Sequence, residues 1–234
     1  FNSYYPVRKK AKYLVDSNDL RKVLDFISLE DEPTFTELSS SFKREISFSW
    51  RQELRRKGVH VCSLFVPFLA GVHYLLTLKI LIATTILYIA SEWARLNGAR
   101  FPVLSFITGL CVRSSERRKF ALAPITLALG VVLSLIFFSE LIAYVTIAIL
   151  ACADSMATII GKFYGRLKIP YNRKKSVEGS AAFFVTALIC ALFFLPLKTA
   201  LIASFVSCVI ETMPFRFDNI SIPLGTGLIL WLII

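Results

Sequence analysis

Asp154 stands where a carboxylate is hardest to keep. It lies within Glu140–Gly161, an otherwise apolar run. An ionisable group deep in a membrane span costs roughly 2.5–3.5 kcal/mol even on the milder insertion scale, and such residues usually face a wet functional site. On a helix, Asp154, Thr158, Gly161 and Gly165 fall on one stripe. That stripe begins with a potential metal ligand and ends with bare backbone, although the two glycines also have the spacing of a small-xxx-small packing face. Lys162 follows, then the segment GRLKIPYNRKKS, bent at Pro170 and Asn172. Lys174 and Lys175 precede Ser176, a good N-cap for the next apolar helix. Free backbone N–H groups and adjacent lysines make such a helix start favourable for phosphate. Glu178 and Gly179 fall in its first turn, where Glu178 either caps the helix or shares a Mg²⁺ with Asp154. An acid facing a cation cluster suits a nucleotide–Mg²⁺ complex during phosphoryl transfer.

Further polar residues punctuate the apolar runs. Arg55, Arg56, Lys57 and His60 stand at the mouth of the first, where they read equally well as stop-transfer charges. Glu92, Arg95 and Asn97 close the second, and Arg113 and Glu116 follow it. Glu211 shares a stripe with Ser204 and Ser207, and Asp218 and Asn219 precede the last run.

The elements that must position these groups are apolar helices. Of 234 residues, 56% are hydrophobic and 20 are phenylalanine, with a mean hydropathy of +0.64, well above the apolar share of soluble domains. Seven runs approach the length that crosses a hydrocarbon core of ~30 Å: Val59–Leu75, Leu78–Leu96, Ala121–Phe138, Glu140–Gly161, Ser176–Leu195, Thr199–Met213 and Ile220–Ile234. The shorter Pro102–Val112 reads as re-entrant or interfacial. The expected fold is therefore an all-α, polytopic membrane protein of about seven transmembrane helices. Phe42, Ile46, Trp50 and Leu54 recur every four residues among basic ones, as in an amphipathic helix lying at the membrane surface or, equally, one packed on the protein's own cytoplasmic face. This divides the chain into a cytoplasmic, interfacial segment, 1–57, and a transmembrane domain, 58–234. The opening residues are polar, with no cleavable leader, and the first is Phe, so more chain is expected before it.

The net charge of +11 does not indicate a nucleic-acid partner. Of 27 Lys and Arg, twelve precede Gly58, six lie between Arg95 and Lys119, and six between Lys162 and Lys175. With seven spans these three groups share one side, which the positive-inside rule makes cytoplasmic, together with the N-terminus and the candidate site. Cys62, Cys111, Cys152, Cys190 and Cys208 lie in or beside apolar runs without metal-binding spacing, and read as small buried hydrophobes.

The pattern Asp154-x-x-Ala157-x-x-x-Gly161 with Gly165, followed by Lys175-Ser176-x-Glu178-Gly179-Ser180, resembles the CTP-dependent lipid kinases: dolichol, phytol and farnesol kinases and fungal-type diacylglycerol kinase. The resemblance extends to Arg56-Lys57-x-x-His60, Arg95-Leu96-Asn97, Arg113-x-x-Glu116 and Asp218-Asn219-x-Ser221-Ile222-Pro223. It implies transfer of the γ-phosphate of CTP to a membrane lipid alcohol with a divalent cation, and essential roles for Arg56, Lys57, Asp154 and Gly161. It places Asn97, Arg113, Gly161, Lys162, Gly165, Lys174, Lys175, Ser176 and Gly179 at the nucleotide, Asp154 and Glu178 at the metal, and Glu116, Glu211, Asp218 and Asn219 among further candidates. Where these kinases often carry a glycine-containing turn after Arg-x-x-Glu, this chain has FALAP. The central hairpin also resembles the CDP-diacylglycerol synthases, but their Gly/His-rich block ending in Asp-Arg is missing. A cytidylyltransferase and a non-enzymatic transporter or scaffold are the alternatives.

Overall fold

The structure is a computed structural model and is described over residues 53–98, 120–215 and 217–234. The expected surface helix around Phe42–Trp50, the Pro102–Val112 segment, Arg113 and Glu116 lie outside those residues. The described chain is mostly helical. Helix α1 covers 53–62, followed by α2 (Phe65–Leu96), α3 (Leu122–Phe137), α4 (Glu140–Phe163), α5 (Val177–Leu192), α6 (Leu197–Thr212) and α7 (Asp218–Ile233). Between α4 and α5 a small antiparallel hairpin pairs β1 (Lys168–Ile169) with β2 (Asn172–Ser176). This hairpin is the one departure from all-α architecture among the described residues.

Two helical stretches are long and apolar enough to cross a membrane: Glu53–Leu96 and Glu140–Phe163. Leu122–Phe137, Val177–Leu192 and Asp218–Ile233 are apolar but shorter; sixteen residues rise about 24 Å, less than a ~30 Å core. The outward faces are greasy: Phe68 is 73% exposed, Phe193 81% and Trp231 62%. A water-soluble monomer seldom leaves so much apolar surface uncovered, so these faces suit lipid.

Four hydrogen bonds trace the path of the first long stretch. Lys57 pairs with Asp154 and His60 with Asn219 at one end of the bundle. The Tyr74 hydroxyl donates to the Leu135 carbonyl (2.6 Å), near the far end of α3. Glu92 accepts from the Ala121 amide (2.8 Å), back at the start of α3. The chain therefore climbs from Lys57 to Tyr74 and returns to Glu92. The reversal falls at His73, whose φ of −146° and ψ of 84° break the helix. The expected first two runs thus form an antiparallel pair, with the break at His73 rather than between Leu75 and Leu78.

Helix α4 is the axis of the fold. Ile142, Ala143, Val145, Ile147, Ile149 and Leu150 are fully or almost fully buried. Its strongest partner, α5, comes close because small residues meet. A Cβ on Gly179 would lie 3.0 Å from the Ala157 carbonyl and 3.1 Å from the Gly161 Cα. On α7, Pro223 removes the N–H that would bond the Asn219 carbonyl four residues earlier. That carbonyl lies against Gly130 of α3, where an added Cβ would sit 2.0 Å from it. Proline and glycine together let the start of α7 settle into the bundle.

Candidate active site

The polar end of the bundle gathers residues from α1, α4, β2, α6 and α7. Lys57 and Asp154 form an ion pair, and both are buried. His60 Nε2 lies 3.8 Å from Asp154 Oδ2 and 3.2 Å from Asn219 Oδ1. The Asn219 amide in turn donates to Thr126 Oγ1 (3.1 Å) and the Ala123 carbonyl (3.4 Å) of α3. Next to this set, Lys175 Nζ bridges Glu211 Oε1 (2.7 Å) and Asp218 Oδ2 (2.9 Å). Ser180 donates to the other Glu211 oxygen at 2.9 Å. Asp218 Oδ1 is buried and has no hydrogen-bond partner among the described residues.

The hairpin decides which of three consecutive basic residues enters the cluster. Arg173 and Lys174 are exposed, whereas Lys175 is half-buried. Burial alone would lower the pKa of Lys175, but the carboxylates of Glu211 and Asp218 more than reverse this and hold it above the ordinary lysine value. Asn172 anchors the strand: it is buried, and its Nδ2 donates to the carbonyls of Thr212 (3.1 Å) and Met213 (3.2 Å) at the end of α6. Beside it a cleft of about 150 Å³ is lined by Asn172, Lys174, Lys175, Pro214, Phe215 and Asp218. A larger, open depression of about 480 Å³ surrounds His73 and Lys79. It lies at the opposite end of the bundle, away from the carboxylates, and we assign it no chemistry.

The chain is similar to a probable phytol kinase 2 of Glycine max, with 30% identity over 204 residues, covering 78% of this chain and 66% of that protein. It is also similar to a CTP-dependent diacylglycerol kinase 1 of Saccharomyces cerevisiae, with 30% identity over 152 residues, covering 63% of this chain and 52% of that protein. The farnesol kinase of Arabidopsis thaliana shows 26% identity over 135 residues, half of this chain and 44% of its own. The chain belongs to this family of lipid kinases. It spans about two thirds of the length of the phytol kinases it matches. No family model matches the chain, and no solved structure matches it.

For a member of this kinase family, the distribution of the expected site residues is uneven. Lys57, Asp154, Lys175, Glu211, Asp218 and Asn219 come together, with Arg56 one residue from Lys57 on α1. Asn97 does not join them: it is exposed, and its side chain caps α2 by donating to the Trp93 carbonyl (2.8 Å). Lys162 and Lys174 are exposed. Glu178 accepts from the amides of Arg166 (2.9 Å) and Leu167 (3.1 Å), so its partners are the hairpin backbone rather than Asp154. The α5 start is less open to phosphate than its sequence suggests, because Gly179 N donates to Ser176 Oγ (3.2 Å) and Val177 N to the Leu167 carbonyl (2.9 Å). Gly161, Gly165 and Gly179 serve helix packing around Ser176, as the small-xxx-small spacing of Gly161 and Gly165 also allowed.

Three contributors escaped the sequence reading. Asn172 was read only as a bend marker, and Thr126 gave no signal. Ser180 was seen only as part of the family pattern. A polar residue at a strand start facing a helix C-terminus, which carries unpaired carbonyls, is the signal that Asn172 offered.

Proposed function

We propose that the protein is a CTP-dependent lipid kinase that transfers the γ-phosphoryl group of CTP to the hydroxyl of a membrane lipid alcohol. The observation that carries this reading is the buried Lys57–Asp154 pair with His60, set beside Lys175, Glu211 and Asp218 at the basic end of an apolar bundle. Acids and cations there lie where a water-soluble nucleotide and a membrane-dissolved alcohol can meet. The names of the relatives supply the class of acceptor: phytol, farnesol and diacylglycerol, with CTP for the diacylglycerol kinases. In this reading 58–234 is the catalytic domain, crossing the membrane about seven times, and 1–57 an interfacial segment. The N-terminus and the cluster face the cytoplasm, because the rich basic groups at Arg55–Lys57 and Lys162–Lys175 belong to that end.

The residues fit a Mg²⁺. No group of three or more ligating side chains meets among the described residues, which suits an ion held by one or two carboxylates plus substrate phosphates rather than by a protein cage. Asp154 would hold it, with Asp218, whose buried Oδ1 lacks a partner and which lies within electrostatic reach of Asp154. When bound, the ion would neutralise charge on the transferring phosphoryl group. Lys57 and Lys175, each now facing a carboxylate, supply the positive charge that the triphosphate needs. Glu211, fixed by Ser180, holds Lys175 in place.

CTP labelled at the γ position should label the lipid in the presence of Mg²⁺, and CTP labelled at the α position should not. Asp154→Asn should remove nearly all turnover, because an amide is a poor Mg²⁺ ligand. Label arriving from the α position, with pyrophosphate released, would replace the kinase by a cytidylyltransferase; label from neither would point to a transporter or scaffold.

A further inference from the structure

One buried group in this end of the bundle, part of that cluster, has been given no chemical task of its own. His60 is 6% exposed, and its buried Nδ1 has no hydrogen-bond partner among the described residues. An unpaired buried polar atom costs about 1–3 kcal/mol, so a fold that keeps one has a use for it or a ligand to fill it.

The neighbours fix which nitrogen carries the proton. Thr126 Oγ1 donates its hydrogen to the Ala123 carbonyl (3.0 Å), which leaves its oxygen to accept from Asn219 Nδ2. The Ala123 carbonyl, also facing Nδ2, can only accept. Two acceptors on α3 therefore set the Asn219 amide with Nδ2 toward α3 and Oδ1 toward His60. That oxygen only accepts, so His60 Nε2 is the donor across 3.2 Å. In a neutral imidazole the second nitrogen then holds a lone pair. Nδ1 is an acceptor.

The chemistry of the two substrates separates them at this point. Phosphate oxygens accept hydrogen bonds and offer an acceptor nothing. The alcohol brings an O–H, the donor that Nδ1 lacks. His60 also sits on the pass that leads into the apolar flank, where Val61, Leu64 and Phe65 are exposed, while Lys175 approaches from the hairpin. We propose that Nδ1 of His60 accepts the hydrogen bond of the lipid's hydroxyl at this end of the bundle, with Asn219 and Thr126 as positioning residues that set the tautomer. The proposal rests on the kinase reading above.

The test compares a lipid alcohol with its O-methyl ether, which fills the same site but has no hydrogen to donate. The probe is whichever of phytol, farnesol or dioleoylglycerol the wild-type protein labels from γ-labelled CTP. Affinities of alcohol and ether are measured by competition in detergent, with CTP affinity measured in parallel. The wild type should prefer the alcohol by about tenfold, the size of one net hydrogen bond. In His60→Phe the preference should fall to near unity while CTP affinity is unchanged. His60→Gln, whose amide can donate to Asn219 and accept from the alcohol, should keep part of it. Thr126→Val should lower the preference without lowering the melting temperature comparably, which a merely structural role would not do. A preference that survives in a folded His60→Phe overturns the proposal, as does a loss of CTP affinity in its place, which would assign Nδ1 to a nucleotide hydroxyl. If the wild type labels none of the three lipids, the kinase reading fails first and this proposal with it.

Discussion

Lys57→Met tests the Lys57–Asp154 pair most directly, because it separates what the pair does for the fold from what it does for chemistry. The side chains are 4% and 10% exposed, so neither charge is rescued by solvent when the other is removed. Truncating one partner of a buried pair costs about 3–5 kcal/mol, chiefly from the uncompensated charge left behind, whereas replacing both by apolar groups is often neutral or better. The expected result is a loss of about 3 kcal/mol or more in Lys57→Met and recovery of most of it in the Lys57→Met/Asp154→Leu double variant. At roughly 2–4 °C per kcal/mol for a chain of this size, the single variant should melt about 6 °C or more below the wild type in detergent, and the double variant close to it. His60, at 3.8 Å from Asp154, is no close substitute for the lysine, and Lys175, which also acts on Asp154, is already held by Glu211 and Asp218. Both variants should lack kinase activity. A Lys57→Met protein as stable as the wild type, or a double variant less stable than either single, would refute the burial argument.

Glycine substitutions should rank by the space the structure leaves. A Cβ at Gly165 would sit 2.1 Å from the Gly161 carbonyl and 2.5 Å from Ser176 Oγ, so Gly165→Ala should destabilise by about 1–3 kcal/mol. At Gly161 the nearest atom is 3.2 Å away, and at Gly58 nothing lies within 4 Å, so Gly161→Ala should be milder and Gly58→Ala neutral or slightly stabilising in thermal melts. Asn172→Ala removes two hydrogen bonds to α6 and should cost about 1–2 kcal/mol; because it frees the strand carrying Lys175, the KM for CTP should rise as well. The raised pKa of Lys175 has a definite sign: its contribution to stability is complete below the unfolded lysine value of about 10.4 and is lost as pH rises through the higher folded one. The stability difference between the wild type and Lys175→Met should therefore stay flat from about pH 7 to 9 and shrink only above about 10.4, in unfolding measured across that range.

Asp154 was legible from sequence because a carboxylate in an apolar run has no cheap structural explanation, and the seven apolar runs were legible because length and composition report them directly. The reversal at His73 was not placed correctly, since its neighbours are as apolar as the helix on either side, and Gly71, two residues earlier, is a weak mark because a lone glycine is tolerated inside a helix. Lys175 could not be told from Lys174 and Arg173 by composition; the irregular register that pairs Lys168 with Ser176 and Ile169 with Asn172, with Arg173 and Lys174 left exposed, brings Lys175 to Glu211. Asp218 and Asn219 stood out as a polar pair before the last apolar run and again in the family pattern, and Pro223 held a further local clue, because a proline four residues after Asn219 leaves that carbonyl without its helical donor. The partner of that carbonyl, Gly130, is 89 residues away in sequence, and only folding brings them together.

The glycines and the charged cluster, separate features in sequence, are coupled in the fold. Gly161 and Gly179 let α4 and α5 meet closely, and Gly165 makes room for Ser176, the last residue of β2. The position of Ser176 sets that of Lys175 beside it, and so the reach of Lys175 to Glu211 and Asp218. A glycine here can therefore be essential to phosphoryl transfer without touching a phosphate. If so, Gly165→Ala should lower kcat or raise the KM for CTP in step with its loss of stability, and removing Ser176 Oγ (Ser176→Ala) should relieve part of both defects. Relief of stability without relief of catalysis would mean that the Gly165 backbone meets the nucleotide itself.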